Sequence, residues 1–246
     1  MTDADRTPSE AERIEAFRDR LLDAMLMHVP FDGWSKAAMD MAMSDLAARG
    51  EAPDPGLAKL AFPRGGIDAA LAFHRRGDRQ MEAAYAAADT DAMKIRDRVT
   101  FAVRTRLEIA EKHREAVRRG ATLLALPIHA AEGAKAVWGT ADAIWKALGD
   151  TSQDLNWYSK RATLSGVYSA VALYWLQDES EGRAETWAFL DRRIDNVMQI
   201  EKGKAAFRKS PLGKIFGGPL ARASEAVKAP GAARPGRRFG FPGPRG

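Results

Sequence analysis

The 246-residue chain contains no cysteine, which excludes disulfide bonds, thiolate metal sites and a cysteine nucleophile. It also has no phosphate-binding loop, no Gly-x-Ser-x-Gly turn and no His-Glu-x-x-His zinc motif. No histidine follows a glutamate by three residues, so the Glu-x-x-His pairs of di-iron helical bundles are missing. We therefore expect a protein that is not an enzyme and that uses no metal or cofactor. An enzyme with dispersed catalytic residues is the alternative.

The four histidines are interpreted as surface residues or as interior residues whose hydrogen bonds are satisfied: His28, His74, His113 and His129. The N-terminus, MTDADRTPSEAER, has the composition of neither a signal peptide nor a transit peptide. A run of fifteen residues without charge, Ala162–Leu176, is shorter than the ~20 residues that cross a bilayer. These features predict an intracellular, cytoplasmic protein.

No segment alternates apolar and polar residues as a strand does, whereas apolar residues recur at helical spacing through most of the chain. Turn and cap residues predict an all-α protein of about nine helices joined by short loops. The expected helices are Pro8 or Ser9 to about Met27, with a break over Pro30, Asp32 and Gly33; roughly Ser35 to Ala48; about Gly56 to Ala61; Ile67 to about Ala88; Asp89 or Thr90 to about His113; Arg114 to Leu126; Ala130 to Leu148; a helix after Gly149 that contains Ala162–Leu176; and Glu181 to about Arg208. The charge-free helix is expected to be buried nearly all round.

Positive charge is concentrated at the C-terminus. Residues 202–246 carry eleven Lys or Arg and one acid, a net charge of +10, and the whole chain carries +5, so residues 1–201 carry −5. Proline and glycine are frequent after Ser210, which is typical of disorder. One amphipathic segment lies within this region, and its apolar residues are interleaved with cations: Phe207, Leu212, Lys214, Ile215 and Phe216. It favours attraction to an anionic membrane; a nucleic-acid arm or a solvated tail is the alternative.

The first third of the chain resembles the DNA-binding domain of TetR-type regulators. Two helices, a short third helix and the segment Ala61–Leu71 (AFPRGGIDAAL) carry this resemblance, which implies a helix-turn-helix. The segment is a poor candidate for DNA binding, however, because four cations and four acids between Trp34 and Gly66 give it no net charge to attract phosphates. The recognition helix would offer one lysine and no Arg, Asn or Gln to read bases. We expect a degenerate helix-turn-helix; a DNA-binding regulator with a hydrophobic effector is the alternative.

A longer motif lies around the charge-free helix. The segment Asp154–Arg161 (DLNWYSKR) follows Trp145, Gly149 and Asp150, and Thr186–Arg193 (TWAFLDRR) comes after a Gln-Asp pair. Over about residues 11–201 the chain resembles the lipid-binding accessory protein of ubiquinone (coenzyme Q) biosynthesis, the ninth-named protein of that pathway. The resemblance implies a TetR-like helical bundle, a homodimer and an isoprenoid-binding cavity.

The resemblance also implies a partner, the hydroxylase that acts on demethoxyubiquinone, and peripheral association with the inner membrane (on the matrix side in mitochondrial relatives). The family's partner surface maps onto Asp142, Ile144, Trp145, Asp154, Trp157 and Tyr158. As alternatives, Trp157 and Tyr158 cover the core at a helix start, and Asp150 and Asp154 only cap a helix. The amphipathic segment in the tail would contact the membrane, although Pro211 and Gly213 interrupt it as a helix.

A lipid pocket has no motif of its own, because its lining and an ordinary core have the same composition. The candidates are Leu123, Leu124, Leu126, Ile128, Trp138, Val167, Tyr168, Val171 and Trp175, and core packing is the alternative for each. Four regions are thus expected: a disordered N-terminus (1–8), a degenerate helix-turn-helix (9–66), a helical lipid-binding domain (67–202) and a basic, partly amphipathic, largely disordered tail (203–246).

Overall fold

A computed structural model of the chain describes the backbone of residues 9–209 and the side chains of residues 9–199. Over this range the protein consists of nine α-helices without a β-strand, so the predicted all-α class is confirmed. The helices are α1 (Glu10–Asp32), α2 (Lys36–Ala48), α3 (Pro55–Ala61), α4 (Gly66–Ala87), α5 (Ile95–Ala110), α6 (Arg114–Leu124), α7 (Ala130–Ala147), α8 (Leu155–Trp175) and α9 (Ala184–Lys209). Two short 3-10 helices, Glu111–His113 and Glu181–Arg183, precede α6 and α9.

The first three helices pack around one hydrophobic core, and side-chain caps determine where each begins. Ser9 and Glu12 form a reciprocal capping box at α1, with the Ser9 N–H donating to Glu12 Oε2 at 2.7 Å. Ser35 caps α2 and Asp54 caps α3. This first core is formed mainly by α1 and α2, from Phe17 to Leu46, with Trp34 at its edge against α6.

Two predicted boundaries are wrong. Helix α1 does not break before Pro30 but continues to Asp32, because a proline in the last turn removes a single backbone donor. The helix ends at Gly33, whose φ of 67° few other residues adopt. Helix α5 does not begin at Asp89 or Thr90: the Thr90 carbonyl accepts from the Met93 N–H at 3.0 Å in an isolated turn, and the helix starts at Ile95.

The second core lies among α4, α5, α7, α8 and α9. Helix α8 contributes Leu164, Val171 and Trp175, all of which are buried. The same helix exposes Ala162 and Gly166, and Leu173 is 57% exposed. The prediction of a helix buried nearly all round is therefore wrong. Small uncharged residues on one face carry little penalty in water, so an absence of charge does not imply burial.

Candidate functional site

The start of α8 is held against the end of α7 by a tight connection. Gly149 adopts a φ of 77°, and the Asp150 N–H donates to the Trp145 carbonyl at 2.9 Å, which turns the chain back across the end of α7. Asp154 then caps α8, accepting from the Asn156 N–H at 2.9 Å. The motif Asp154–Arg161 thus begins at a helix N-cap and places its last residue two turns into α8.

Arg161 lies at the centre of this region, and its side chain is only 1% exposed. Its Nε donates to Asp142 Oδ1 at 2.6 Å, and one terminal nitrogen donates to Asp150 Oδ2 at 3.0 Å. Lys160 completes the group through its Nζ, 2.7 Å from Asp150 Oδ1. We call Asp142, Asp150, Lys160 and Arg161 the arginine cluster. A buried guanidinium with two carboxylates in hydrogen-bonding geometry fixes how α7, the connection and α8 meet.

The carboxylates of the arginine cluster are held in their charged form. Burial alone would raise the pKa of Asp150, but hydrogen bonds from Lys160, Ser152 and Arg161 outweigh it and lower the pKa from 3.8 to about 2. The pKa of Asp142 is lowered in the same way, since hydrogen bonds from Lys146 and Arg161 outweigh its burial.

These shifts predict an acid-dependent loss of stability. A carboxylate whose pKa is depressed on folding contributes stability that is complete above its unfolded pKa and is lost as pH falls through the folded value. For Asp150 the window runs from about pH 4 down to about pH 2. In urea titrations at a series of pH values, Asp150→Asn should therefore show a shallower decline in this window than the unaltered chain. An identical decline would show that other carboxylates, such as Asp178, carry the acid sensitivity.

Aromatic rings surround the arginine cluster. The Trp157 ring lies over the Arg161 guanidinium, with 4.1 Å between the guanidinium carbon and the ring centroid. Its centroid lies 6.0 Å from that of Trp138 and 4.8 Å from that of Tyr158. Trp145 donates its Nε1 proton to the Lys160 carbonyl at 3.1 Å, and Lys160 Nζ lies 5.2 Å from the Trp145 centroid. We call Trp138, Trp145, Trp157 and Tyr158 the aromatic patch.

The structure brings most of the predicted partner residues together at this point. Asp154 is exposed, whereas Asp142, Trp145, Trp157 and Tyr158 are half-buried and keep part of their surface in solvent. The structure does not place Ile144 on this surface. Its side chain is 0% exposed and packs in the second core. It therefore offers no surface to a partner. The binding role of the other five residues stays a prediction.

Sequence reasoning did not assign Arg161 and Trp138 to this site. Arg161 was part of the motif, but a cation near the start of a helix normally faces water, and nothing local signals its burial. Trp138 was predicted to line the lipid pocket, yet its ring packs on Trp157 and lies outside the cavity. Trp138 and Trp145 are seven residues apart and so share one face of α7, and this spacing in the sequence could have assigned Trp138 to the aromatic patch.

An apolar cavity of about 380 Å³ lies between α4, α5, α6, α7 and α8. Of the nine predicted pocket residues, three line it: Leu124, Tyr168 and Trp175. Four others lie outside this cavity: Leu126 and Ile128 are 44% and 80% exposed, Val167 lines a separate groove beside α9, and Trp138 belongs to the aromatic patch. Lipid contact by any of the nine stays a prediction. Leu123 and Val171 pack in the cores.

Most of the cavity wall comes from residues that carry no pocket prediction. Trp34 and Phe73 contribute rings from one side, Leu107 and Val117 contribute from α5 and α6, and Val137 contributes from α7. These residues are far apart in sequence, and only the packing of the helices brings them together. The rings of Trp34 and Phe73 are in contact, with centroids 5.5 Å apart.

One end of the cavity is polar. His74, Arg106 and Tyr168 line it, and behind them the Arg106 Nε donates to Asp78 Oδ1 at 2.7 Å. Thr140 joins the group, with its Oγ1 2.8 Å from His74 Nε2. Gly77 is required here because a Cβ at this position would lie 2.5 Å from the Arg106 guanidinium carbon. Burial lowers the pKa of His74 to about 4, so this histidine is neutral at physiological pH.

The other histidines have ordinary structural roles, as interpreted from the sequence. His28 Nε2 lies 2.6 Å from Asp45 Oδ2, His129 Nδ1 lies 2.8 Å from Glu132 Oε2, and His113 packs edge-on to Phe73. Among the side chains of residues 9–199, no cluster of His, Asp and Glu has the arrangement of a metal site. Across the described helices, none combines the length and apolar character of a membrane span.

The fold places the protein among proteins built like TetR-type regulators. A TetR transcriptional regulator from Nitrosomonas europaea ATCC 19718 superposes with a TM-score of 0.58, covering 73% of this chain and 97% of that one. Sequence identity is 21%, so this likeness shows the fold alone. The TetR-like bundle predicted from the sequence is confirmed.

The sequence relatives are COQ9 proteins. Residues 130–201, which contain both the arginine cluster and the aromatic patch, match the COQ9 family model. The mitochondrial ubiquinone biosynthesis protein COQ9 of Drosophila melanogaster is 32% identical over 193 residues, covering 77% of this chain and 57% of that protein. Its Xenopus tropicalis and human counterparts are 30% and 28% identical, each covering 77% of this chain and 60% of the relative.

The predicted resemblance to the ubiquinone-biosynthesis accessory protein is therefore confirmed. The chain spans about 60% of the length of the curated relatives that it matches. Of the residues predicted to contact a membrane, Leu212, Lys214, Ile215 and Phe216 lie outside the described residues. The backbone at Phe207 belongs to α9, but its side chain is outside the described range.

Proposed function

We propose that this protein takes part in ubiquinone biosynthesis as a lipid-binding accessory protein that has no catalytic activity of its own. It presents a polyprenyl quinone precursor to the demethoxyubiquinone hydroxylase at a membrane surface. The observation that carries the proposal is the apolar cavity, because α7 and α8, which form two of its walls, lie inside the segment that matches COQ9. The relatives are named as ubiquinone biosynthesis proteins, which supports the pathway assignment.

The cavity suits an amphiphile. Its wall is apolar over most of its area, and each CH₂-sized group buried there gains about 0.8 kcal/mol. The neutral His74 and the Tyr168 phenol give one end hydrogen-bonding groups. A volume of about 380 Å³ lies near the lower end of the range for drug-sized ligands, roughly 300–1,000 Å³, so a long polyprenyl tail would extend beyond it.

The aromatic patch supports the proposed contact with the hydroxylase. Half-buried Trp and Tyr rings that the protein already holds in position lose little conformational entropy on binding and are frequent anchors of interfaces. Trp157 is fixed by Arg161 below and by Trp138 and Tyr158 at its sides. The homodimer and the membrane role of the basic tail belong to this proposal as well, on the strength of the family resemblance and the tail's charge.

The second candidate is a regulator that binds DNA, which the TetR-like fold favours. The charges of the helix-turn-helix oppose it. Lys36 Nζ lies 2.5 Å from Asp40 Oδ2, and Arg64 is bound by Asp68 and Glu132, so these cations are engaged with acids of the protein. A specific gel shift at physiological salt with DNA from the protein's own locus would favour this candidate over the proposed function.

The lipid-binding proposal predicts that protein isolated from its own host carries isoprenoid lipid. In Ala172→Phe, the new ring should occupy the cavity that Ala172 lines. If it displaces two CH₂-sized groups at about 0.8 kcal/mol each, lipid affinity falls about tenfold. Mass spectrometry of the co-purified lipid, normalised to protein, measures the loss. Ala188→Phe, at an exposed position of α9, is the matched control and should retain the lipid. Unaltered lipid content in Ala172→Phe would place the lipid outside this cavity.

A further inference from the structure

The connection between α6 and α7 has an unusual composition for an exposed segment. From Leu124 to Ala134 it reads LALPIHAAEGA, with one charged residue. Ile128 is 80% exposed and Leu126 is 44% exposed, two of the larger apolar side chains that the described surface presents to water. Such side chains on a short connection are unfavourable in water unless something apolar covers them.

This connection also forms the mouth of the cavity. The wall is buried at Leu107, Tyr168 and Trp175, whereas its exposed members are Ala125, Ala130 and Ala134 from the α6–α7 region, together with Leu173 of α8. Leu173 is 57% exposed, so the cavity opens where α8 passes the connection. The exposed residues Leu126 and Ile128 therefore lie in the chain between two residues of the rim, Ala125 and Ala130.

The connection is held in place by packing and by paired polar groups. Helix α7 begins so close to the end of α6 that a Cβ on Gly133 would lie 2.9 Å from the Leu124 carbonyl oxygen. One carboxylate oxygen of Glu132 accepts a hydrogen bond from Arg64, and the other lies 2.8 Å from His129 Nδ1. The single acid of the connection is thus neutralised by its neighbours, and the apolar rim is presented without a competing negative charge.

The charge around the mouth differs in sign from that of the body. Residues 114–135 contain four cations and two acids, although residues 1–201 carry a net charge of −5. Arg118 and Arg119 lie on α6 just before the connection and share one acid, Glu115, so this group keeps a net positive charge. Lys135 is exposed one turn into α7. Exposed apolar side chains flanked by cations are the composition of surfaces that lie in the headgroup region of anionic membranes.

We propose that the α6–α7 connection is a membrane portal: it inserts Leu126 and Ile128 into an anionic lipid surface, and an apolar ligand passes between bilayer and cavity across this rim. The inference rests on the proposed lipid-binding function and adds the place where the ligand enters. It is separate from the membrane role proposed for the basic tail.

The lack of cysteine makes a direct test possible in the full-length protein. Ile128→Cys carries an environment-sensitive fluorophore, and Met41→Cys, at a position that is 45% exposed on α2, carries the same fluorophore as the control. The probe is a phosphatidylcholine vesicle that contains phosphatidylglycerol and a lipid with a nitroxide on its acyl chain. We expect the emission at position 128 to shift to the blue and to be quenched, and that at position 41 to stay unchanged. Protein that sediments with vesicles while position 128 remains in water would overturn the portal.

A second measurement monitors the entry of a ligand into the cavity. Trp34 and Trp175 line the cavity, so a short-chain ubiquinone analogue that enters from vesicles should quench tryptophan fluorescence. Replacing Leu126 and Ile128 together by serine leaves the cavity wall intact; it should slow loading at least about tenfold while the final extent is kept. Loading at the unaltered rate would place the entrance elsewhere. A complete lack of loading in the unaltered chain would contradict the proposed function, and the label at position 128 would still decide the membrane contact.

Discussion

Replacing Arg161 by methionine should lower the free energy of unfolding by about 3 kcal/mol or more. The Arg161 side chain is 1% exposed and forms ion pairs with both Asp142 and Asp150, and the Asp150 side chain is itself only 3% exposed. Methionine fills much of the volume but leaves a buried carboxylate with Lys160 and Ser152 as its remaining side-chain partners. Breaking a buried ion pair from one side costs more than the pair contributes, because the other charge stays desolvated.

Chemical denaturation followed by tryptophan fluorescence and by circular dichroism measures this loss. Lys146→Met is the matched control: Lys146 also binds Asp142, with its Nζ 2.7 Å from Oδ2, but its side chain is 67% exposed. It should change stability by no more than about 0.5 kcal/mol. A loss of similar size in both variants would mean that the arginine cluster acts as an ordinary surface ion pair. Adding Asp150→Asn to Arg161→Met should recover part of the loss, since the unpaired charge is then removed.

Local chemistry explains why most helices could be predicted. Ser9 with Glu12, Ser35 and Asp54 are side chains that satisfy free backbone amides, and each marks a helix start that the structure contains. Asp89 has the same cap chemistry, yet its carboxylate accepts from the Asp91 N–H, at 3.4 Å, in a turn before α5. Capping residues are compatible with turns as well as with helix starts, so the pattern alone does not separate the two.

The two parts of the candidate site differ in how far the sequence predicted them. The aromatic residues of the motif were found because they are contiguous and because the family resemblance gave them a role. The cavity was largely missed, since Trp34, Phe73 and Leu107 become neighbours only when the α1–α2 connection, α4 and α5 pack together. The burial of Arg161 could not be predicted either. Whether a cation is buried depends on partners contributed by another helix and by a loop, here Asp142 and Asp150.

Trp157→Ala should weaken binding to the demethoxyubiquinone hydroxylase at least about 30-fold, equivalent to about 2 kcal/mol for an aromatic anchor. Alanine is preferred to a charged residue here. The Trp157 ring lies 4.1 Å from the Arg161 guanidinium, so a lysine at this position would place two cations together and would disturb the arginine cluster as well as the surface. Titration of the purified hydroxylase by calorimetry or surface plasmon resonance measures the change.

A matched control separates a lost contact from a lost fold. Trp187 on α9 is also half-buried, also lies against a guanidinium, with 4.8 Å from its centroid to Arg104, and is outside the patch. Trp187→Ala should bind the hydroxylase normally. Trp157→Phe keeps a ring over Arg161 and should retain stability while losing part of the affinity, because the indole reaches further toward the partner than a phenyl ring does. Normal binding by Trp157→Ala would show that the ring only covers the arginine cluster, and the partner surface would then have to be sought elsewhere.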